Sequence, residues 1–236
     1  VMDIALVPQT GEAVVVGNTN SGNFPITAGA ARTAIGFGSL GIFDGFVTKL
    51  SSGNATIIFS TYIGIDSAQD FCTGVALDRS NCPIVVGYTS GHNFSMTPGV
   101  DILPTNSFLR GRGYRQNNTD KATKDGFFLK LSAAGNTIDN GTLIGGNKDD
   151  ECSAVDVDVF GNAVVCGWTK STDIGASQFD LSLGGTVEGF ALRIFTTGGP
   201  PGFISYLGGS GDEETMTGIK FLNPNENNSA IVVCGA

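Results

Sequence analysis

The chain of 236 residues has one histidine, His92, set between Gly91 and Asn93. A Ser-His-Asp relay or a zinc centre needs histidine with partners in fixed geometry. A single histidine in a Gly/Asn loop reads instead as an exposed loop residue. There is no Gly-x-Ser-x-Gly elbow and no glycine-rich phosphate loop followed by lysine. Carboxylates are the remaining chemistry, in three groups: Asp66 with Asp70, Asp149-Asp150-Glu151, and Asp212-Glu213-Glu214. Oxygen-rich clusters suit Ca²⁺, which makes Asp149, Asp150 and Asp212 candidate ligands. The alternating aspartates of a calcium loop are missing, however, and a turn or junction role explains the clusters without an ion. A carboxylate pair could also serve a glycosidase, which needs the two groups about 5–9 Å apart.

Five cysteines, Cys72, Cys82, Cys152, Cys166 and Cys234, form no Cys-x-x-Cys pair, which disfavours zinc. They are disulfide candidates for an oxidising exterior, or buried thiols acting as small core residues. The odd count leaves at least one thiol unpaired or joined to an outside partner. N-glycosylation sequons occur at Asn54, Asn93, Asn117, Asn140 and Asn227. Four fall in expected loops, and Asn140 lies closer to a strand.

The elements that would carry these residues repeat. Asp44-Gly45-Phe46, Asp125-Gly126-Phe127 and Glu188-Gly189-Phe190 open three similar segments. Twenty residues after each acid stands a central glycine, Gly64, Gly145 or Gly208, and the acid clusters follow it. A Val-rich run ending in a marker glycine follows at Gly87, Gly167 and Gly235, and an earlier copy ends at Gly17. Period-2 alternation at Val155 and Val157 against Asp156 and Asp158, with turn residues between runs, predicts strands. In the second copy these are 46–50, 56–62, 73–77 and 83–88. A tight hairpin is expected at 159–162, with Gly161 and Asn162 supplying positive φ. The 35 glycines are roughly double ordinary usage and argue against helices. Apolar content of 41% excludes a disordered chain. The fold class is all-β.

Four short strands repeated every 63 to 81 residues cannot bury both faces alone, and radial stacking of copies, as in a β-propeller, would bury them. The expected division is a partial blade at 1–43 holding only the last two strands of a blade and a connection, a blade at 44–124 with an insertion at 101–124, a blade at 125–187, and a blade, complete or truncated, at 188–236. That makes about three and a half four-stranded antiparallel blades in an incomplete ring. With no initiating Met and no signal peptide, a fragment of a larger propeller is expected, with two chains completing one ring as the other option. The insertion holds Arg110, Arg112, Arg115, Lys121 and Lys124, five of the 13 basic residues.

The run Asp44–Leu50, then Ser60–Gly64, Val85–Thr89 and Asn93–Gly99, resembles the SBBP (beta-propeller repeat) family. The Asn-Phe element recurs at Asn23-Phe24-Pro25 and weakens to Asp173-Ile174. The resemblance implies a large secreted or surface protein without an assigned chemistry.

A net charge of −9 is the wrong sign for nucleic acid or an anionic membrane, and no apolar run is long enough for a bilayer span. These features favour a non-enzymatic extracellular or cell-surface scaffold, a module of a secreted, surface or filament protein. Its partners would be other protein chains or the remaining blades, with N-linked glycans on its rim and no cofactor. A carbohydrate- or ligand-binding propeller is the alternative, and a carboxylate-dependent hydrolase or lyase the third reading. Tyr88 and Trp168 follow equivalent marker glycines and read as blade packing before sugar platforms.

Overall fold

The computed structural model describes all residues except 37–41, 65–67, 92–123, 196–200, 212 and 227–228. Among the described residues there are fourteen strands and no helix. Sheet 1 is β1 (Asp3–Leu6), β2 (Ala13–Thr19), β3 (Asp44–Leu50) and β4 (Ile57–Ile63). Sheet 2 is β5 (Asp70–Leu77), β6 (Pro83–Thr89), β7 (Asp125–Leu131) and β8 (Ile138–Ile144). Sheet 3 is β9 (Asp150–Val157), β10 (Asn162–Thr169), β11 (Glu188–Phe195) and β12 (Phe203–Leu207). Sheet 4 is the pair β13 (Met216–Phe221) and β14 (Ile231–Gly235). Every pairing is antiparallel between strands consecutive in the chain.

The sheets run two strands out of step with the sequence repeats. Each acid-Gly-Phe strand is the third of its sheet, and each marker strand is the second. The breaks expected after residues 43, 124 and 187 therefore fall inside sheets, and residues 1–43 supply the first two strands of sheet 1. Register explains the shift: Gly17, Gly87 and Gly167 lie opposite Phe46, Phe127 and Phe190. That ladder joins marker strand to acid-Gly-Phe strand across the longest connection of each sheet.

The marker glycines are fixed by bulges. Thr73, Ser153 and Thr217 are each an extra residue in the first strand of their sheet. A bulge tilts the neighbouring carbonyl toward the partner strand. A Cβ on Gly87, Gly167 or Gly235 would collide with the carbonyl oxygen of Phe71, Glu151 or Thr215. The hairpin at 158–162 uses positive φ at Gly161 alone; Asn162 already belongs to β10 and hydrogen-bonds Asp158 with its amide.

Consecutive sheets pack face to face. Val14 and Val16 meet Val75 between sheets 1 and 2, Ile84 and Val86 meet Val155 between sheets 2 and 3, and Val164 and Cys166 meet Ile219 between sheets 3 and 4. Sheets 2 and 3 are thus covered on both faces, which is why β6 and β10 read as almost unbroken apolar runs. The first strands β1, β5, β9 and β13 all line one hollow of about 820 Å³.

The segment that leads from the second to the third strand folds back over the outer strands. Phe24 of the Asn-Phe element packs on Phe46 and Tyr62, with ring centroids 4.5 and 6.1 Å apart. Tyr62 donates its hydroxyl to Ser21 O at 2.8 Å, and Tyr206 repeats this with Ser171 O at 2.8 Å. Ile174 takes the place of Phe24 in sheet 3, in the same core as Phe190 and Tyr206. The hydroxyl before each of these tyrosines anchors the same segment, with Thr61 accepting Arg32 N–H at 2.9 Å and Ser205 accepting Asp180 N–H at 3.0 Å.

Candidate functional site

Three carboxyl pairs stand at the three junctions between sheets. Each pairs the first residue of a third strand with the acid at or just before the next sheet's first strand: Asp44 with Asp70, Asp125 with Asp150, Glu188 with Glu214. The central glycine lies under each pair. A Cβ on Gly145 would stand 2.5 Å from Asp125 Oδ1 and 2.8 Å from Asp150 Oδ2. On Gly64 it would stand 2.8 Å from Asp70 Oδ2 and 3.1 Å from Asp44 Oδ1. On Gly208 it would meet Glu188 Oε1 at 2.8 Å and Glu214 Oε2 at 2.9 Å. Asp44, Asp70, Asp150 and Glu188 are buried. The central glycine is required because two carboxyl groups occupy the space a side chain would need.

The middle junction shows how a buried carboxylate is held. Asp150 accepts from Thr169 Oγ1, from Ser171 Oγ at 2.8 Å and from Gly146 N–H at 2.8 Å. Thr169 ends the second strand of the same sheet, so the acid ties the junction to that strand. Burial pushes the Asp150 carboxyl up to about 6 against the pull of these hydrogen bonds, and Asp173 pushes the same way. Burial likewise raises Glu188, with Asp180 and Glu214 adding to it.

These shifts carry a stability consequence. Asp150 ionises at 3.8 in the unfolded chain and about 6 in the folded one, so folding takes up a proton between those values. Its contribution is fully present below pH 4 and lost as pH rises through 6, a span of about 3 kcal/mol. In Asp150→Asn the denaturant-measured stability is expected to fall less between pH 4.5 and 7 than in the wild type. Equal slopes in the two proteins would count against it.

A second set of acids closes the hairpins between first and second strands. Asp158 Oδ1 accepts Phe160 N–H at 2.9 Å and Asn162 N–H at 2.8 Å. Its Oδ2 accepts Asn162 Nδ2 at 2.8 Å and Arg193 Nη2 at 3.2 Å. Asp78 does the same in sheet 2, taking Ser80 and Cys82 N–H and pairing with Lys130 at 2.8 Å. In sheet 1 Glu12 supplies the carboxylate and Lys49 the ammonium, at 2.8 Å. Lys49, Lys130 and Arg193 each stand five residues after the acid of the acid-Gly-Phe motif. Sequence reasoning missed these residues; the fixed five-residue spacing of a basic side chain in all three copies was the available signal.

The carboxylates around the hollow are Asp3, Asp78, Asp156 and Asp158. Asp3 accepts Ile4 and Val75 N–H, both at 2.8 Å, and Asp156 takes Lys220 Nζ and Phe221 N–H, both at 2.9 Å. With Asp78 and Asp158 already engaged, all four bind the chain's own groups. Asp149 and Asp150, the described calcium candidates, diverge: Asp149 faces Lys170 Nζ at 3.3 Å, while Asp150 turns into the junction. Asp212, His92, Asn93, Asn117, Asn227 and residues 101–123 of the insertion lie outside the described residues. No group of three or more His, Cys, Asp or Glu able to hold a metal occurs among the described residues.

The disulfide expectation is corrected: Cys72, Cys82, Cys152, Cys166 and Cys234 are all free thiols. Cys72 and Cys152 are buried in different junctions, each filling the notch left by a motif glycine, Gly45 or Gly126. Met216 fills the third notch, at Gly189. Burial pushes the Cys72 and Cys152 thiols far up and Cys166 to about 12.

Tyr88 stacks on Phe71 at 4.9 Å, and Lys124 Nζ lies 4.6 Å from its ring centre and 5.0 Å from that of Trp168. Trp168 donates Nε1–H to Glu151 at 3.1 Å, and Lys124 also pairs with Glu151. These aromatics bind sheets 2 and 3 together. Asn54 is exposed in the turn before β4, whereas Asn140 is half-buried within β8.

No protein-family model matches the chain, and no curated protein matches it. No helix among the described residues is long and apolar enough to cross a membrane.

Proposed function

We propose that this protein is a non-enzymatic scaffold, an arc of β-propeller blades that offers rigid surfaces to other protein chains outside the cell. The observation that carries the reading is the commitment of its chemistry to its own structure. The carboxylates facing the hollow, Asp150 at the middle junction and the aromatics after the marker glycines all hold strands or sheets together. First strands that share one hollow suit a radial arrangement. The motif resemblance to beta-propeller repeats and the acidic balance support the same role. The size of the hollow favours ligand binding as a second reading, because it falls within the range of small-molecule sites.

The extracellular part is tested by mass spectrometry of native protein. Hexose-bearing peptides are expected at Asn54, Asn93 or Asn117. Bare peptides at all three would remove the secretory argument.

A further inference from the structure

Glu188 opens β11 and Glu214 precedes β13, at the junction of sheets 3 and 4. Glu188 is 0% exposed. Its Oε2 accepts Gly184 N–H at 2.9 Å, while its Oε1 is buried with no hydrogen-bond partner among the described residues. A buried carboxylate oxygen in that state is costly unless a donor or a cation meets it. The charges that act on Glu188, from Asp180 and Glu214, are both negative and do not offset that cost. The hydroxyls of the middle junction, Thr169 and Ser171, serve Asp150, the second acid of its pair. The open oxygen at this junction is on the first acid.

Other oxygens face the same space. The place of a Cβ on Gly208 lies 2.8 Å from Glu188 Oε1 and 2.9 Å from Glu214 Oε2. The place of a Cβ on Gly184 lies 2.5 Å from Gly209 O and 3.1 Å from Glu188 Oε1. On Gly211 it lies 2.7 Å from Glu214 Oε1. Three glycines thus leave room beside one set of oxygens, at distances close to those of calcium–oxygen bonds, about 2.3–2.6 Å.

We propose that this cradle binds one Ca²⁺, held by the carboxylates of Glu188 and Glu214 and the carbonyl of Gly209. A divalent ion balances the two carboxylate charges and meets the open Glu188 oxygen, and Ca²⁺ accepts mixed carboxylate, carbonyl and water ligands in flexible geometry. Water completes the shell from the loop 208–211, which is exposed. The ion ties the start of β11 to the approach of β13, and so clamps sheet 3 to sheet 4. It goes beyond the scaffold reading and does not depend on it, since the glycan masses test the extracellular part separately.

The test is thermal unfolding of chelator-treated protein at neutral pH and constant ionic strength, with and without CaCl₂. With two charged ligands the affinity belongs at the weak end of calcium sites, about 10⁻⁴–10⁻³ M, so about 10 mM CaCl₂ is expected to raise the midpoint by about 3–10 °C. MgCl₂ at the same concentration should move it far less. Glu188→Gln is expected to lose the rise and, by titration calorimetry, to bind one Ca²⁺ fewer per chain than the wild type. Asp149→Asn, which changes an acid outside the cradle, should keep the rise. Should Glu188→Gln fail to fold, Glu214→Gln is read in the same way. A wild type that CaCl₂ does not move, an equal rise with MgCl₂, or a Glu188→Gln variant that keeps the whole rise would each overturn the proposal.

Discussion

Gly167→Ala is expected to be among the most damaging single methyl groups that can be added to this protein. The new Cβ would sit on the carbonyl oxygen of Glu151, which the Ser153 bulge holds in place. No rotamer change relieves a backbone clash, so β9 must move away from β10 and break the ladder that anchors the hairpin. Overpacking of this kind costs about 3 kcal/mol or more. In a chain of this length that lowers the thermal midpoint by roughly 6–12 °C. Gly87→Ala should behave alike, because its Cβ would meet Phe71 O. Gly53→Ala is the control, with nothing within 4 Å of its Cβ. Thermal unfolding followed by circular dichroism separates the three. A Gly167→Ala midpoint equal to that of Gly53→Ala would refute the bulge explanation of the marker glycine.

The second large effect is expected at Asp158. Removing its carboxylate strips partners from the N–H groups of Phe160 and Asn162 and leaves Arg193 without this counter-charge in a buried setting. Breaking a buried ion pair from one side typically costs about 3–5 kcal/mol. Asp158→Ala should lie in that range by denaturant unfolding. Asp158→Asn, which keeps one acceptor oxygen, should cost less. Combining Asp158→Ala with Arg193→Met should return part of the loss, because the stranded guanidinium is then gone. A double variant as unstable as the sum of the two singles would show that the pair does not act as a unit.

Strand identity was legible in the sequence because the turn chemistry and the apolar runs agree. The runs at 46–50, 56–62, 73–77 and 83–88 became β3 to β6 with shifts of one to three residues at their ends. The phase of the repeat was not legible. Asp44-Gly45-Phe46 looks like the start of a unit because its motif is sharp, yet sheet membership is decided by which connection carries a ladder. The Gly17–Phe46 pairing that settles it spans a long connection with no local signature. The acid clusters were visible as clusters, but their pairing was not, since Asp125 meets Asp150 only through the junction of two sheets. The cysteines at 72 and 152 recur in register for the reason Met216 does, as a side chain sized for a glycine notch. Spacing alone could not tell that role from a disulfide. Asn140, which the sequence places close to a strand, lies within β8.

The central claim is that consecutive sheets stand side by side around one hollow. Zero-length carbodiimide coupling in dilute protein, read by peptide mass, tests it most directly. Glu12 with Lys49, 2.8 Å apart within sheet 1, is the internal control. The arrangement predicts coupling of Lys124 to Glu151 between sheets 2 and 3, and of Lys220 to Asp156, 2.9 Å apart, between sheets 3 and 4. A protein in which Glu12 couples to Lys49 while neither inter-sheet pair couples would contradict it.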